Sequence, residues 1–337
     1  MSVKQAIALL CGVGVASTAT AGGMLTSASG DIAFSGGATA GYFYNNRTGG
    51  GNIDGFEVPD VSLNFSSDAK ARGVGFNVVT GRSQTPTVMS SAPTSITAGE
   101  GFGMYVADFS IAPLTNLTVN IGKLPTSIGY EIAPTFANPN VLLGAVWGAQ
   151  PVTYPGARAT YNFGAAQAYA EVNSDTSTGG SGATVVGVLA AVRGVNLTAS
   201  YYDAYNGRNI VDVIASYNAD KFSVAANVDY HMLDKAVQAA GQATSATGMA
   251  LYVTPKMGKM SLPVRVEYLS DTTTKGIYTV TDGYTVTVTP TYSLSDNAFV
   301  RAEAAYVKAK TPIFVGKDGA STANARLAGS LSLGVKF

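Results

Sequence analysis

Some of the residues able to do acid, base or ion chemistry in this chain come in pairs two positions apart. Arg265 with Glu267 and Arg301 with Glu303 each set a guanidinium and a carboxylate on one face of an extended segment. Asp229 stands in the same relation to His231, the single histidine. An aspartate beside an imidazole could orient a general base, but no partner nucleophile can be placed, so a solvated histidine near a strand end is predicted and the chain is not expected to be an enzyme. The lone cysteine, Cys11, lies in the first residues; disulfide, thiol and cysteine-metal chemistry are therefore excluded from the rest, and no metal site is predicted. The glycine run from Gly99 to Gly103 leads into an extended segment and not a helix, so it makes no phosphate cradle. No cofactor is predicted.

Such pairs need strands to hold them, and the strands need a membrane. Lys4, the short apolar run from Ala6 to Ala16 and Ala19-Thr20-Ala21 read as a secretory signal, residues 1–21, with the mature chain starting at Gly22. The alternative, an anchoring helix, is short of the roughly 18 to 20 apolar residues that span a bilayer. After Gly22 no continuous run is long enough to cross as a helix. Charged residues make up 12% of the chain, about half the usual quarter, and the formal charge is balanced, which argues against a nucleic-acid partner. An exported chain poor in charge, rich in Gly and Tyr and lacking spanning helices fits a transmembrane barrel.

Period-two alternation carries that reading. Phe222, Val224, Ala226, Val228 and Tyr230 share one face, opposite Ser223, Asn227 and Asp229. Leu262, Val264, Val266 and Tyr268 alternate with Pro263, Arg265 and Glu267; Val300, Ala302, Ala304 and Tyr306 alternate with Arg301 and Glu303. No charge stands on the apolar faces, where an Arg or Lys near the bilayer midplane would cost about 2 to 4 kcal/mol. Tyr44, Tyr201, Tyr230, Tyr268 and Tyr306 close alternate strands at one end, and Phe65, Phe163, Tyr217, Tyr292 and Phe337 close the others, forming two aromatic girdles. About 16 strands are predicted, with short and long links mostly alternating. The fold class is thus all-β: residues 22–337 form one transmembrane, antiparallel, up-and-down β-barrel with short turns and both termini in the periplasm. Pro263 and Pro290 fall inside strands of a sheet that has no edge, and local bulges are expected there.

The stretch Gly122-Lys123-Leu124-Pro125-Thr126-Ser127-Ile128-Gly129-Tyr130-Glu131, followed by Ala149-Gln150-Pro151 and Gly156-Ala157-Arg158, resembles the OmpL-like β-barrel porin family and, more distantly, the phosphate-selective porins. That resemblance implies a bacterial outer-membrane pore with a loop entered through this element. Clustered basic residues mark the phosphate-selective group, whereas Lys123 stands alone before a loop with none, so the likeness implies no phosphate channel. Leu331, Leu333, Val335 and Phe337 resemble the C-terminal signal read by the outer-membrane barrel assembly machinery.

The loop 124–153 is the best site. It is long and apolar, with Ile128, Phe136, Val141, Leu142, Leu143, Val146 and Trp147, so it should pack against something. It either folds into the lumen and narrows a pore, or caps the outside or a neighbouring subunit. Lys123, Glu131, Trp147 and Gln150 are its constriction candidates. The inward candidates are Arg158, Glu171, Asp212, Asp229, Arg265, Glu267, Arg301, Glu303, Arg326 and Lys336. Interleaved signs suit a hydrated, weakly selective channel, although each residue could equally serve cross-strand pairing. The sequence therefore points to a channel for small polar solutes and ions, in contact with outer-membrane lipid and lipopolysaccharide, with a homotrimer possible. The alternative is a structural or display barrel with a plugged lumen.

Overall fold

The computed structural model describes residues 23–27, 30–46, 55–89, 94–95, 102–235, 238, 244–271, 277–278, 282–315 and 322–337. The signal proposed for residues 1–21 lies outside them.

A closed antiparallel barrel of 16 strands fills most of the described chain. In chain order they are β1 (Gly30–Asn45), β2 (Gly55–Ser67), β3 (Val74–Thr85), β4 (Gly103–Leu114), β5 (Leu117–Pro125), β6 (Thr153–Asn162), β7 (Ala166–Asn173) and β8 (Ala183–Val192). There follow β9 (Val195–Ala204), β10 (Arg208–Asn218), β11 (Phe222–Leu233), β12 (Ser245–Met257), β13 (Met260–Ser261 and Val264–Asp271), β14 (Gly283–Val288 and Thr291–Ser293), β15 (Ala298–Ala309) and β16 (Ala325–Lys336). Each pairs with its chain neighbour, and β1 pairs with β16 from Gly37↔Lys336 to Asn45↔Ala328, which closes the ring. Closure is what hydrocarbon demands, because an unpaired strand edge in lipid would leave every second amide and carbonyl without a partner. A short strand not foreseen in the sequence, Gly23–Ser27, pairs with the start of β1.

The facing follows the alternation. Val228, Tyr230, Val266 and Tyr268 are exposed on the outside, while Asn227, Asp229, Arg265 and Glu267 between them are buried inside. Turn chemistry sets the short ends: Arg193 (φ 51) and Gly194 (φ 84) both adopt the left-handed conformation between β8 and β9, the two-residue turn whose twist suits a hairpin. Pro263 and Pro290 interrupt β13 and β14 side by side, as the missing N–H requires, and Thr289 N donates to Pro263 O (2.8 Å) across the gap. At Pro59 the register between β1 and β2 slips from Thr39↔Asp60 to Gly41↔Glu57, one extra residue on β2.

Candidate functional site

Between β5 and β6 the chain turns into the barrel. Thr126 N donates to Val152 O (2.9 Å) and fastens the base of a loop, residues 126–152. Inside it, Thr135–Ala137 and Trp147–Ala149 form single 3-10 turns, each giving Pro- and Gly-rich segments a local hydrogen bond. Its apolar side chains have somewhere to go. Val141, Leu142 and Val146 pack on small inward residues such as Ala250, Ala305 and Ala328. Ile128 packs with Leu124, Tyr154 and Tyr202, and Trp147 with Ala133 and Leu143.

Burying that backbone strips water from its amides and carbonyls, and the inner wall replaces it. Glu303 accepts from Val141 N (2.6 Å) and Leu142 N (2.7 Å), one carboxylate oxygen to each. Glu267 accepts from Val146 N (2.9 Å) and Asp60 from Thr135 N (2.8 Å). Guanidinium groups take the carbonyls. Arg265 donates to Leu142 O (2.8 Å), Arg301 to Thr135 O (3.1 Å) and Asn138 O (3.0 Å), and Arg208 to Ala149 O (2.6 Å). Gln150 bonds Asp229 (2.7 Å) and Asn227 (3.1 Å). Within the loop, Glu131 accepts from Gly144 N (2.8 Å) and pairs with Arg265 at 2.5 Å. Burial pushes its carboxyl up to about 7, with Arg265 pulling the other way. Gly144 is confined here: a Cβ would overlap carboxylate oxygens of Glu267 and Glu131. The segment after β3 latches on from the side, Val88 N donating to Leu143 O and Leu143 N to Pro86 O, both 2.9 Å.

A loop that enters a 16-strand barrel and is held by its wall takes up space in the lumen, and comparison with known proteins identifies the barrel around it. The model of the family described as "Putative beta-barrel porin-2, OmpL-like" matches residues 31–337. The chain belongs to this OmpL-like porin family. A comparison with curated protein sequences returns no match. In fold the porin is similar to OmpT, an outer membrane protein of Vibrio cholerae (TM-score 0.62, 11% identity, covering 94% of this chain and 100% of that one). It is similar to the outer membrane channel DcaP of Acinetobacter baumannii (TM-score 0.60, 13% identity, 93% and 99%), and to a variant of the Rh. blastica porin (TM-score 0.55, 15% identity, 91% and 100%). The protein is an outer-membrane porin.

Most residues singled out in the sequence line the porin's lumen, but they are engaged with protein. Arg158 and Glu171 face each other across β6 and β7 at 2.6 Å, and Arg158 also donates to Pro125 O (2.7 Å) at the loop base. Asp212 accepts from Asn227 (2.6 Å), and Arg326 donates to Val88 O and lies over the Phe314 ring. Lys336 borders a cavity at the short-turn end. Two expectations need correction. Lys123 is not at the constriction: Asn120, Gly122 and Leu124 are the inward residues of β5, so Lys123 shares the outward face with exposed Ile121 and donates to Met104 O (3.1 Å). His231 is not solvated; it is wholly buried on the inner face, edge-on to Tyr278 with ring centroids 5.3 Å apart, and neither nitrogen has a hydrogen-bond partner among the described residues.

Several anchors escaped the sequence reading, namely Asp60, Asn138, Asn227 and Arg208. Asp60 was hidden because the extra residue at Pro59 shifts parity along β2. Asn227 was visible by parity but uncharged.

Proposed function

We propose that this porin is a water-filled, weakly selective channel for passive diffusion of small polar solutes and ions, narrowed by the inward loop, and that it is not an enzyme. The observation that carries the reading is lopsided contact. The loop's hydrogen bonds to the barrel wall go to β1, β2, β10, β11, β13, β15 and, through Thr289, β14, where Asp212, Asp229, Arg265 and Glu267 are wholly enclosed. Beyond Asp60, the rest of the inward side of β2 and that of β3 to β5 carry Asn64, Asn77, Asp108, Ser110, Thr118 and Asn120. Asn64, Thr118 and Asn120 there remain half-buried, and no hydrogen bond among the described residues joins these six to the loop. A strip of amides and hydroxyls with one carboxylate supports solute passage with little charge preference.

The orientation that suits this reading has the short turns and both termini in the periplasm, barrel assembly machinery handling the strand-wise C-terminal pattern, and lipopolysaccharide around the long-loop end, as a monomer or a trimer. A closed barrel serving structure or display is the second reading. It is favoured by the latch of Val88 on Leu143, which adds a second loop to the occlusion. Single-channel recording of the purified protein in a planar bilayer separates them: stable open-state conductance is expected, and a barrel that inserts but stays silent sinks the channel.

A further inference from the structure

Below the loop, at the end of the barrel carrying the short turns, lies a cavity of about 970 Å³. Its ceiling is the loop segment Phe136 to Pro139, and much of its wall is hydroxyl, including Ser261, Thr291 and Ser293. Four cationic side chains border it, Lys256, Lys259, Arg301 and Lys336, against one carboxylate, Asp296. A neighbouring cavity of about 560 Å³ shares Lys256 and Lys259 and adds Lys221 and Asp220.

Arg301 is the built part of the site. Only 2% of its surface is exposed. One nitrogen, Nη1, holds the carbonyls of Thr135 and Asn138, while Nε and Nη2 have no hydrogen-bond partner among the described residues. The Phe299 ring covers one face of the guanidinium at 4.7 Å. Of the carboxylates near it, Glu303 is taken by Val141, Leu142 and Thr289, while Asp60 spends Oδ2 on Thr135 and bonds neither Arg301 donor, its Oδ1 having no partner among the described residues. A buried guanidinium with two idle donors lacks an acceptor, and such groups are rarely left so. Lys336, half-buried beside the same cavity, makes no side-chain hydrogen bond within the described protein.

We propose that Arg301 and Lys336 form a binding site for a small oxyanion, a carboxylate or phosphate group, reached through the Lys256–Lys259 rim. The Arg301 guanidinium in the cavity wall brings one positive charge and, once turned out of its sealed position, a fork of Nε and Nη2 that matches two oxygens of one such group; the ammonium of Lys336 supplies a second positive charge, and the hydroxyl wall can solvate the remainder. The rim lysines raise the local anion concentration, as a mouth of one charge sign does. The site gives the channel proposed above an anion preference at this end; it rests on that reading for the passage of ions, but not for binding.

Inorganic phosphate is the probe, and two measurements keep the readings apart. Isothermal titration of the folded barrel in detergent is expected to show saturable phosphate binding, weakened about tenfold in Lys336→Gln and at least as much in Arg301→Gln, as loss of a charge-assisted bond predicts. Lys310→Gln, at the opposite end, is expected to leave binding unchanged. In a planar bilayer, phosphate on the short-turn side is expected to reduce potassium chloride conductance in wild type and less so in Lys336→Gln. Because Arg301→Gln also loses two bonds to the loop, Lys336→Gln carries the decision. A conducting barrel that binds no phosphate, or binds it equally well in Lys336→Gln, overturns this inference alone. A silent barrel that still binds phosphate with the expected variant pattern overturns the channel and supports the site.

Discussion

The two sides of the lumen are built from different chemistry. On the β11 to β15 side, with β1 and β2, carboxylates and guanidiniums point inward and every one of them grips loop backbone or a neighbour. On the β3 to β5 side the inward residues are mostly asparagine, serine and threonine, and Asp108 is held by Asn120 at 2.7 Å. An Arg–Glu pair on a barrel strand looks like a selectivity element, but here Arg265 and Glu267 are enclosed by the loop they hold. Inward side chains thus have two uses, and their partners tell them apart: dry charges on one wall fix the loop, whereas the other wall is free of the loop and keeps Asn64, Thr118 and Asn120 half-buried and wet. Dry charges need complete pairing, whereas a wet wall tolerates substitution.

The strongest challenge to that contrast is Arg265→Met. It leaves Glu131 and Glu267 facing each other without their shared cation, and about 3 to 5 kcal/mol of stability should be lost. Denaturant unfolding of the folded barrel in detergent measures it, and wild-type stability would mean that the charged wall does not clamp the loop. Asp108→Asn tests the other side. Stability should change by less than about 1 kcal/mol, while the reversal potential in a salt gradient moves toward anions. A large stability loss here would erase the distinction between the walls.

The smallest effect concerns pH. Glu131 has a carboxyl raised to about 7 in the packed loop, so the packed state holds its proton more tightly than a hydrated, loosened loop would. Packing is therefore favoured in acid, fully so below the ordinary carboxyl value, and that advantage fades as pH rises through the raised one. Loop-opening events in single-channel traces should be more frequent at about pH 8 than at about pH 5, and Glu131→Gln should flatten the difference. An unchanged trace in wild type would place Glu131 outside the clamp.

Much of the barrel was legible because its cause is local. One face of each strand meets hydrocarbon, so Val264, Val266 and Tyr268 declare their direction within five residues. The loop's limits were legible too, since Pro125 and Thr153 bound an interval without alternation. Its direction was not, because Val141 or Trp147 would be buried equally well by a neighbouring subunit. What settles it is distant: Glu303 lies 162 residues from Val141. Lys123 was misplaced because its proximity to the loop was weighed above its parity with Ile121. His231 was misplaced because nothing near it in sequence shows that Tyr278 folds over it.

A ring of strands held by hydrogen bonds can part between any two neighbours, and here the ladder between β1 and β16 is bridged from within. Thr135 bonds Thr39 on β1 (2.9 Å) and Asp60 on β2, while its carbonyl receives Arg301 on β15. One residue of the narrowing loop therefore staples both banks of that junction. Lateral opening of the cylinder at this seam must first tear the staple, so a shortened loop would leave a wider hole in a wall that also unzips more readily.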